Sequence, residues 1–317
     1  MCSKQKKSSL EVDSLYCLKA LCAFFVVILH SQIWGRDYIM PVLTCAVPCF
    51  FAISGYFLYS CDAAAEIRKS LRWIKKIMVL FLCLSCLYVA VRYVKDETIL
   101  SWRNVRLFVL TGLFPSNHLW YLVSLAQALS LFSLFRRFKM WSMKVLWILL
   151  MLHFMYRSCL DCKIIAGHEY YFFQPLYSLF LVGIGYYASK NQIGKCPPLG
   201  FAVMLICAML MKYLCICFEA TLSRSTELVC NGVVPVCLLA LCTRFPKCSI
   251  KFVAWIGKRH SANIYYYHMF VISILGWYCH KEYPCGYTAF VLTLLLSIVL
   301  EYIVHLVSKL NLGIGCG

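Results

Sequence analysis

Charged residues are scarce in this chain. Only 14% of its 317 residues are charged, whereas 62% are hydrophobic. A soluble domain of this length would be about half apolar and about a quarter charged. Several apolar runs approach the roughly 20 residues needed to cross about 30 Å of hydrocarbon. Because a bilayer obliges each segment to satisfy its own backbone hydrogen bonds, the composition predicts an all-α fold, a polytopic membrane helical bundle.

Motifs of several enzyme classes are also missing. The chain has no Walker loop, GxSxG elbow, HExxH helix or EF-hand loop, so nothing indicates an ATP-driven pump, a serine hydrolase or a metalloprotease. Most of the 21 cysteines lie in apolar segments, where cysteine behaves as a small hydrophobe, and none shows zinc-site spacing. We therefore expect no metal. Cys159 and Cys162 form a CxxC in a predicted external loop, but that spacing alone is weak evidence for a disulfide.

Acidic residues are much rarer than basic ones, and the net charge is +18. A strongly basic protein can bind nucleic acid. Here the charges form short clusters between apolar runs, and no soluble segment is long enough for a nucleic-acid-binding domain. We expect no nucleic-acid partner. Instead, the basic loops set the topology and face anionic membrane lipids.

About ten membrane spans can be drawn along the chain. They lie near Leu15–Ile33, Met40–Ser60, Ile74–Val91, His118–Phe135, Val145–Tyr156, Tyr170–Ser189, Leu199–Phe218, Leu228–Cys242, Ser261–Cys279 and Tyr287–Val307. The shorter apolar stretch Val105–Phe114 indicates an interfacial or re-entrant helix. Basic residues concentrate in alternate loops, which predicts that both termini are cytoplasmic. The first span is too long for a signal peptide and lacks a small-residue cleavage site, so we expect an uncleaved first helix. The sequence shows no linker and no internal repeat. We predict one transmembrane domain over residues 1–317, without an appended soluble domain.

The first span carries two ionisable residues on nearly one face. Lys19 and His30 are about three helical turns apart, roughly 16 Å along the axis. Ionisable groups inside a span are costly and usually functional. Taken alone, Lys19 is better explained as a cation that snorkels to the interface. His30 is explained equally well as a hydrogen-bonded interfacial residue and as a group that transfers protons near neutral pH.

Further polar residues occur in other spans. In the second span, Ser54 precedes a glycine that lets another helix approach closely, so helix packing explains this pair better than a cavity does. Asn117, His118 and Trp120 open the fourth span; membrane anchoring and contact with an external acceptor remain equally open for them. His268 in the ninth span, as a lone helical histidine, is more often a satisfied core residue.

Two more charged residues are predicted within spans. Glu301 lies in the tenth span, where a carboxylate needs a partner, and Lys19 is a candidate because it lies at similar depth. Lys212 lies in the outer part of the seventh span, and we expect it to snorkel.

Several of these stretches, in this order, resemble the acyltransferase-3 family of integral membrane O-acyltransferases. The matching segments are Lys19 to His30 (a basic residue, ten others, then His), Val47–Leu58 (VPCFFAISGYFL), His118–Leu122 (HLWYL), Phe180–Tyr186 (FLVGIGY) and Ile264–His268 (IYYYH). Glu301 stands where many members carry a glutamate. The chain departs from the family at Lys19, because most members have arginine there. Lysine keeps the charge but loses the planar bidentate fork of arginine.

The resemblance implies an enzyme that moves an acyl group, usually acetyl, from cytosolic acyl-CoA to a hydroxyl of a cell-envelope acceptor. Its partners would be acyl-CoA as co-substrate, an envelope saccharide or lipid-linked sugar, and the lipids of a bacterial plasma membrane, with no tightly bound cofactor. His30 would act as general base or as a transient acyl carrier, with Lys19 as the catalytic cation on the donor side. Substrate-binding candidates are Ser54, Asn117, His118, Trp120, His268 and Glu301.

A transporter or flippase for an envelope precursor is the main alternative. In that interpretation Lys19, His30, His268 and Glu301 would form a polar or proton path. The chain shows neither an inverted repeat nor a matching pair of broken helices, which such transporters commonly contain. A purely structural membrane protein would not need histidine and lysine within its spans.

Overall fold

The computed structural model shows an all-helical protein. It describes residues 12–31, 35–95, 99, 101–161, 174–217, 223–279 and 285–314. Within these ranges the regular structure consists of α-helices and short 3-10 turns, without a β-sheet, which confirms the predicted fold class.

The described residues form a succession of α-helices. They are α1 (Asp13–Leu29), α2 (Arg36–Leu43), α3 (Ala46–Leu58), α4 (Ala63–Val94), α5 (Trp102–Thr111), α6 (Trp120–Arg137), α7 (Met143–Asp161), α8 (Gln174–Lys190), α9 (Pro198–Cys217), α10 (Ser223–Arg244), α11 (Lys251–Arg259), α12 (Ser261–Cys279) and α13 (Gly286–Ile314). A 3-10 turn over Asn117–Leu119 leads into α6.

Five helical stretches in the described part of the chain are long and apolar enough to cross a membrane. They are Tyr38–Leu58, Ala63–Val94, Asn117–Arg137, Pro198–Cys215 and Gly286–Leu306. In α4, α9 and α13 only 28%, 11% and 17% of the most apolar window is buried by protein, so lipid must cover the remaining apolar surface. These stretches match the second, third, fourth, seventh and tenth predicted spans. The full number of crossings and the cytoplasmic position of the termini remain predictions.

Helices α3 and α8 cross with their backbones almost in contact, and two glycines make this possible. A Cβ atom on Gly55 would lie 1.9 Å from the carbonyl oxygen of Val182, and one on Gly185 would lie 1.7 Å from that of Ala52. Any larger side chain would therefore push the helices apart. The packing interpretation of the Ser54–Gly55 pair is confirmed for Gly55.

A buried ion pair joins three helices at the end of the bundle away from His30. The Glu66 side chain is fully buried and lies 2.6 Å from the Arg136 guanidinium. It also accepts hydrogen bonds from the backbone N–H of Ser60 at 2.9 Å and from the Tyr186 hydroxyl at 3.3 Å. These bonds tie the α3–α4 turn to α6 and α8, and they satisfy a carboxylate that burial would otherwise penalise.

Lys212 does not snorkel, so that prediction is wrong. Its side chain is only 4% exposed, and its Nζ donates to Thr44 Oγ1 at 2.8 Å and to Asn231 Oδ1 at 2.7 Å. It also lies 3.2 Å from Cys45 Sγ. Because these acceptors surround the ammonium inside the bundle, the side chain is satisfied without reaching the interface. Lys212 thereby links α9 and α10 to the segment between α2 and α3.

The proposed contact between Lys19 and Glu301 is also wrong. Glu301 lies 3.0 Å from the Arg259 guanidinium and 3.5 Å from His260 Nε2. Arg259 ends α11 and His260 follows it. Helix α13 packs beside this junction, since His260 Nδ1 lies 2.9 Å from Ser297 Oγ.

The predicted CxxC spans the end of the described α7. The backbone of Cys159 belongs to α7 and not to a loop, which corrects that part of the prediction. The Cys159 side chain and Cys162 lie outside the described residues.

Candidate active site

Three histidines that are far apart in the chain converge at one end of the bundle. His30 ends α1, His118 lies in the turn before α6, and His268 lies in α12. The ring centroid of His268 lies 5.3 Å from that of His30 and 5.0 Å from that of His118. We call these residues the histidine cluster. In the described part of the chain, no group of His, Cys, Asp and Glu is arranged to hold a metal ion.

The end of α1 holds His30 in a defined position. The Arg36 guanidinium donates to the carbonyl oxygen of Leu29 at 2.8 Å, and the Ser31 hydroxyl donates to that of Val27 at 2.7 Å. These bonds satisfy carbonyls that a helix C-terminus leaves without backbone partners. The His30 ring is therefore carried on a capped helix end and stays partly exposed.

Hydrogen bonds define which nitrogens of the two buried histidines carry protons. His268 Nδ1 donates to the carbonyl oxygen of Tyr265 at 2.7 Å, and Nε2 has no hydrogen-bond partner within the described residues. His118 Nε2 lies 3.3 Å from the carbonyl of Tyr266, to which it donates, so Nδ1 accepts from the Ser116 hydroxyl at 2.9 Å. Neutral His268 therefore keeps Nε2 unprotonated, and this nitrogen can accept a proton.

Two tyrosine hydroxyls donate hydrogen bonds to the backbone beside the histidine cluster. The Tyr265 hydroxyl donates to the carbonyl of His118 at 2.7 Å, and the Tyr88 hydroxyl donates to that of Tyr266 at 2.8 Å. The Tyr88 ring also packs edge-on against His118, with centroids 4.9 Å apart. Tyr88 was missed in the sequence because it lies in an unremarkable lipid-facing span, and nothing in its local pattern indicates this contact.

A cavity of about 820 Å³ opens beside the histidine cluster. Its lining includes His30, Asn117, His118 and Trp120, four of the candidates chosen from the sequence. Helices α1, α3, α5, α6, α8 and α12 and the turn before α6 contribute to the walls. Ligand-binding cavities usually measure about 300–1,000 Å³ and combine apolar walls with a few polar groups, as this one does.

The other candidates lie apart from the cavity. Lys19 is partly buried, about three turns before His30 on α1, and has no ion-pair partner among the described residues. The Ser54 hydroxyl donates to the carbonyl of Phe50 at 2.8 Å, and Glu301 is engaged with Arg259. Within the described structure none of these three lines the cavity. His268 does not line it either, but its ring packs against His30 and His118, which do.

Two arginines that the sequence analysis did not select line the same cavity. Arg103 and Arg106 lie on α5, which corresponds to the predicted interfacial helix Val105–Phe114 but begins and ends three residues earlier. Their spacing of three places both on one helical face. That spacing was a usable signal, because cations on the polar face of an interfacial helix can face a substrate as well as lipid.

Comparison with known families supports the sequence resemblance. The family model of the acyltransferase-3 type, described as an acyltransferase domain, matches residues 12–304. No curated protein and no solved structure matches the chain. The matched region includes the histidine cluster and every residue described above as lining the cavity.

Proposed function

The chain belongs to the acyltransferase-3 family, and we propose that it moves an acetyl group from acyl-CoA to a hydroxyl of a cell-envelope saccharide or lipid-linked sugar. The membrane would be the bacterial plasma membrane. One observation carries the proposal: two members of the histidine cluster, His30 and His118, line a cavity large enough for a substrate, and the third, His268, packs against both.

His30 is the proposed catalytic base, because it is the cluster member that both lines the cavity and stays partly exposed. It takes the proton of the acceptor hydroxyl while the oxygen attacks the thioester carbonyl. The tetrahedral intermediate then collapses, the C–S bond breaks, and the CoA sulfur leaves with the proton that the imidazolium returns. The products are the ester and free CoA.

Covalent catalysis by His30 is the second route that this geometry supports. The unprotonated ring nitrogen attacks the thioester, CoA leaves as the thiol, and the acceptor hydroxyl then displaces the imidazole from the acyl group. A single turnover without acceptor separates the two routes, because only the covalent one releases stoichiometric CoA.

His268 is proposed to position His30 and to share its proton. Its Nδ1 is committed to the Tyr265 carbonyl, so Nε2 is the nitrogen available to His30. His118, Asn117 and Trp120 would contact the acceptor, since all three line the cavity. Ser54, which lies on α3 and does not line the cavity, would act through helix packing.

Lys19 is proposed to meet the anionic end of acyl-CoA. It lies toward the other end of α1, partly buried and without a described ion-pair partner, as expected of a cation whose counter-charge arrives with a ligand. Its axial distance of roughly 16 Å from His30 excludes contact of both side chains with one reacting carbon. Glu301, paired with Arg259, would then fix α13 near the donor side without binding substrate.

The decisive experiment uses purified protein, labelled acetyl-CoA and an extract of envelope glycans. We expect label to move covalently into the extract. Movement of a solute without covalent change would instead indicate a transporter, an alternative that membership of this family does not favour.

A further inference from the structure

Helix α5 has two chemically different faces. Arg103, Arg106 and Leu107 face the cavity, and they lie on one side of the helix at 100° per residue. On the adjoining side, Trp102 and Val109 are 75% and 64% exposed. An apolar exposed face at this position is suited to lipid. The helix therefore carries both arginines at the cavity, and exposed apolar side chains suited to lipid lie beside them.

The position of α5 is fixed by contacts at its C-terminal end. Gln127 on α6 donates from Nε2 to the carbonyl of Leu110 at 3.1 Å, and Phe108 stacks on Phe81 of α4 with centroids 5.1 Å apart. The helix ends at Gly112, whose φ of 70° favours glycine, and a Cβ there would lie 2.5 Å from Val123. The two arginines are thus carried by a docked helix that has no buried residue of its own.

The charged residues described at the cavity are all cations. Among the described residues that line it, Arg103 and Arg106 are cations and none is a carboxylate. No acidic partner for either arginine occurs in the described structure. Guanidinium groups match phosphate and carboxylate oxygens by paired hydrogen bonds, and the nearby Asn117 and Thr111 can add neutral ones.

We propose that Arg103 and Arg106 bind an anionic group, phosphate or carboxylate, on the acyl acceptor. This inference rests on the proposed function, which assigns the anionic end of the donor to Lys19 at the other end of α1. The acceptor hydroxyl would lie against His30 while its phosphate or carboxylate lies under α5. A neutral sugar would lack that second anchor, so the cavity selects charged acceptors.

Binding to purified full-length protein tests the inference without a known acceptor. The probes are inorganic pyrophosphate, glucuronate, methyl glucoside as a neutral sugar, and CoA. Each is added at several concentrations, and the melting temperature of the protein is measured. We expect pyrophosphate or glucuronate to stabilise the protein and methyl glucoside to have little effect. Stabilisation by pyrophosphate alone assigns a phosphate, and by glucuronate alone a carboxylate.

Paired variants connect the effect to the two arginines. R103Q/R106Q should weaken anion binding at least tenfold and leave CoA binding unchanged. R103K/R106K should retain part of the anion binding. The control R137Q, at the exposed end of α6, should retain all of the anion binding. The inference would be overturned if R103Q/R106Q bound the anion as well as the parent protein does. It would also be overturned if the variant lost CoA binding and kept anion binding. His30→Ala should still bind the anion. If the parent protein binds the anion but transfers no acyl group, the proposed function is refuted, whereas the anion-binding site is not.

Discussion

The ring of His30 lies 5.3 Å from the ring of His268 and is tilted by 34° to it. His30 ends the first helix and His268 lies in the twelfth, so this contact exists only because α1 and α12 pack together at the cavity. It places His268, which by sequence alone resembled an ordinary core histidine, against the proposed catalytic base.

Replacing His268 with Asn should separate positioning from folding. Asn can still donate to the Tyr265 carbonyl but offers His30 no imidazole nitrogen. We expect kcat to fall about 100-fold with a nearly unchanged melting temperature and an unchanged KM for acetyl-CoA. The acid limb of the pH–rate profile should also move, since protonation of His30 no longer competes with a neighbouring ring. A variant with unaltered kcat and pH profile would show that His268 only fills space.

Lys19 should act through its charge. Lys19→Arg is expected to keep most of the activity, whereas Lys19→Gln should raise the KM for acetyl-CoA at least tenfold, because the donor loses a counter-charge in a partly buried place. The readout is steady-state kinetics at varied acetyl-CoA with acceptor extract in excess. If all three proteins share one KM, Lys19 is a snorkelling anchor.

The buried pair of Glu66 and Arg136 should dominate the stability of its end of the bundle. Glu66→Gln leaves the Arg136 cation without its counter-ion, and breaking such a pair typically costs about 3–5 kcal/mol. Thermal unfolding in detergent should show a clearly lower melting temperature. Arg68→Gln is the matched control, since the Arg68–Asp62 pair is 67% and 61% exposed and should contribute about 0–1 kcal/mol. Equal melting temperatures for both variants would refute this assignment.

The crossing of α3 and α8 should tolerate no side chain at Gly185. A Cβ there would lie 1.7 Å from the Ala52 carbonyl oxygen, whereas one at Gly200 meets nothing within 4 Å. Gly185→Ala is therefore expected to lower the melting temperature and the yield of folded protein, and Gly200→Ala to leave both unchanged. Comparable stability of the two variants would contradict this account of the crossing.

The sequence was most informative where chemistry is confined to one segment. Apolar length predicted the helices, and the spacing of Lys19 and His30 identified the helix that carries the proposed base. Pairings between distant segments were not predictable. Lys212 was expected to reach the interface, because nothing in α9 reveals that Thr44 and Asn231 supply acceptors inside the bundle.

Contacts that depend on helix adjacency escaped prediction for the same reason. Glu301 was expected to approach Lys19 by depth alone, but Arg259 lies nearer because α11 ends beside α13. Arg103 and Arg106 were not selected from the sequence, because only the packing of α5 places them at the cavity. Depth and charge can be estimated from a sequence, whereas the neighbour that satisfies a charge is decided by packing.

The most direct test of the account is acyl transfer by His30→Ala, compared with the parent protein and with His305→Gln, a variant of an exposed histidine on α13. All three proteins are purified, checked for equal melting temperature, and supplied with labelled acetyl-CoA and envelope-glycan extract. We expect His30→Ala to lose at least about 100-fold in transfer rate while His305→Gln keeps the parental rate. Full transfer by folded His30→Ala would contradict the central claim that His30 carries the chemistry.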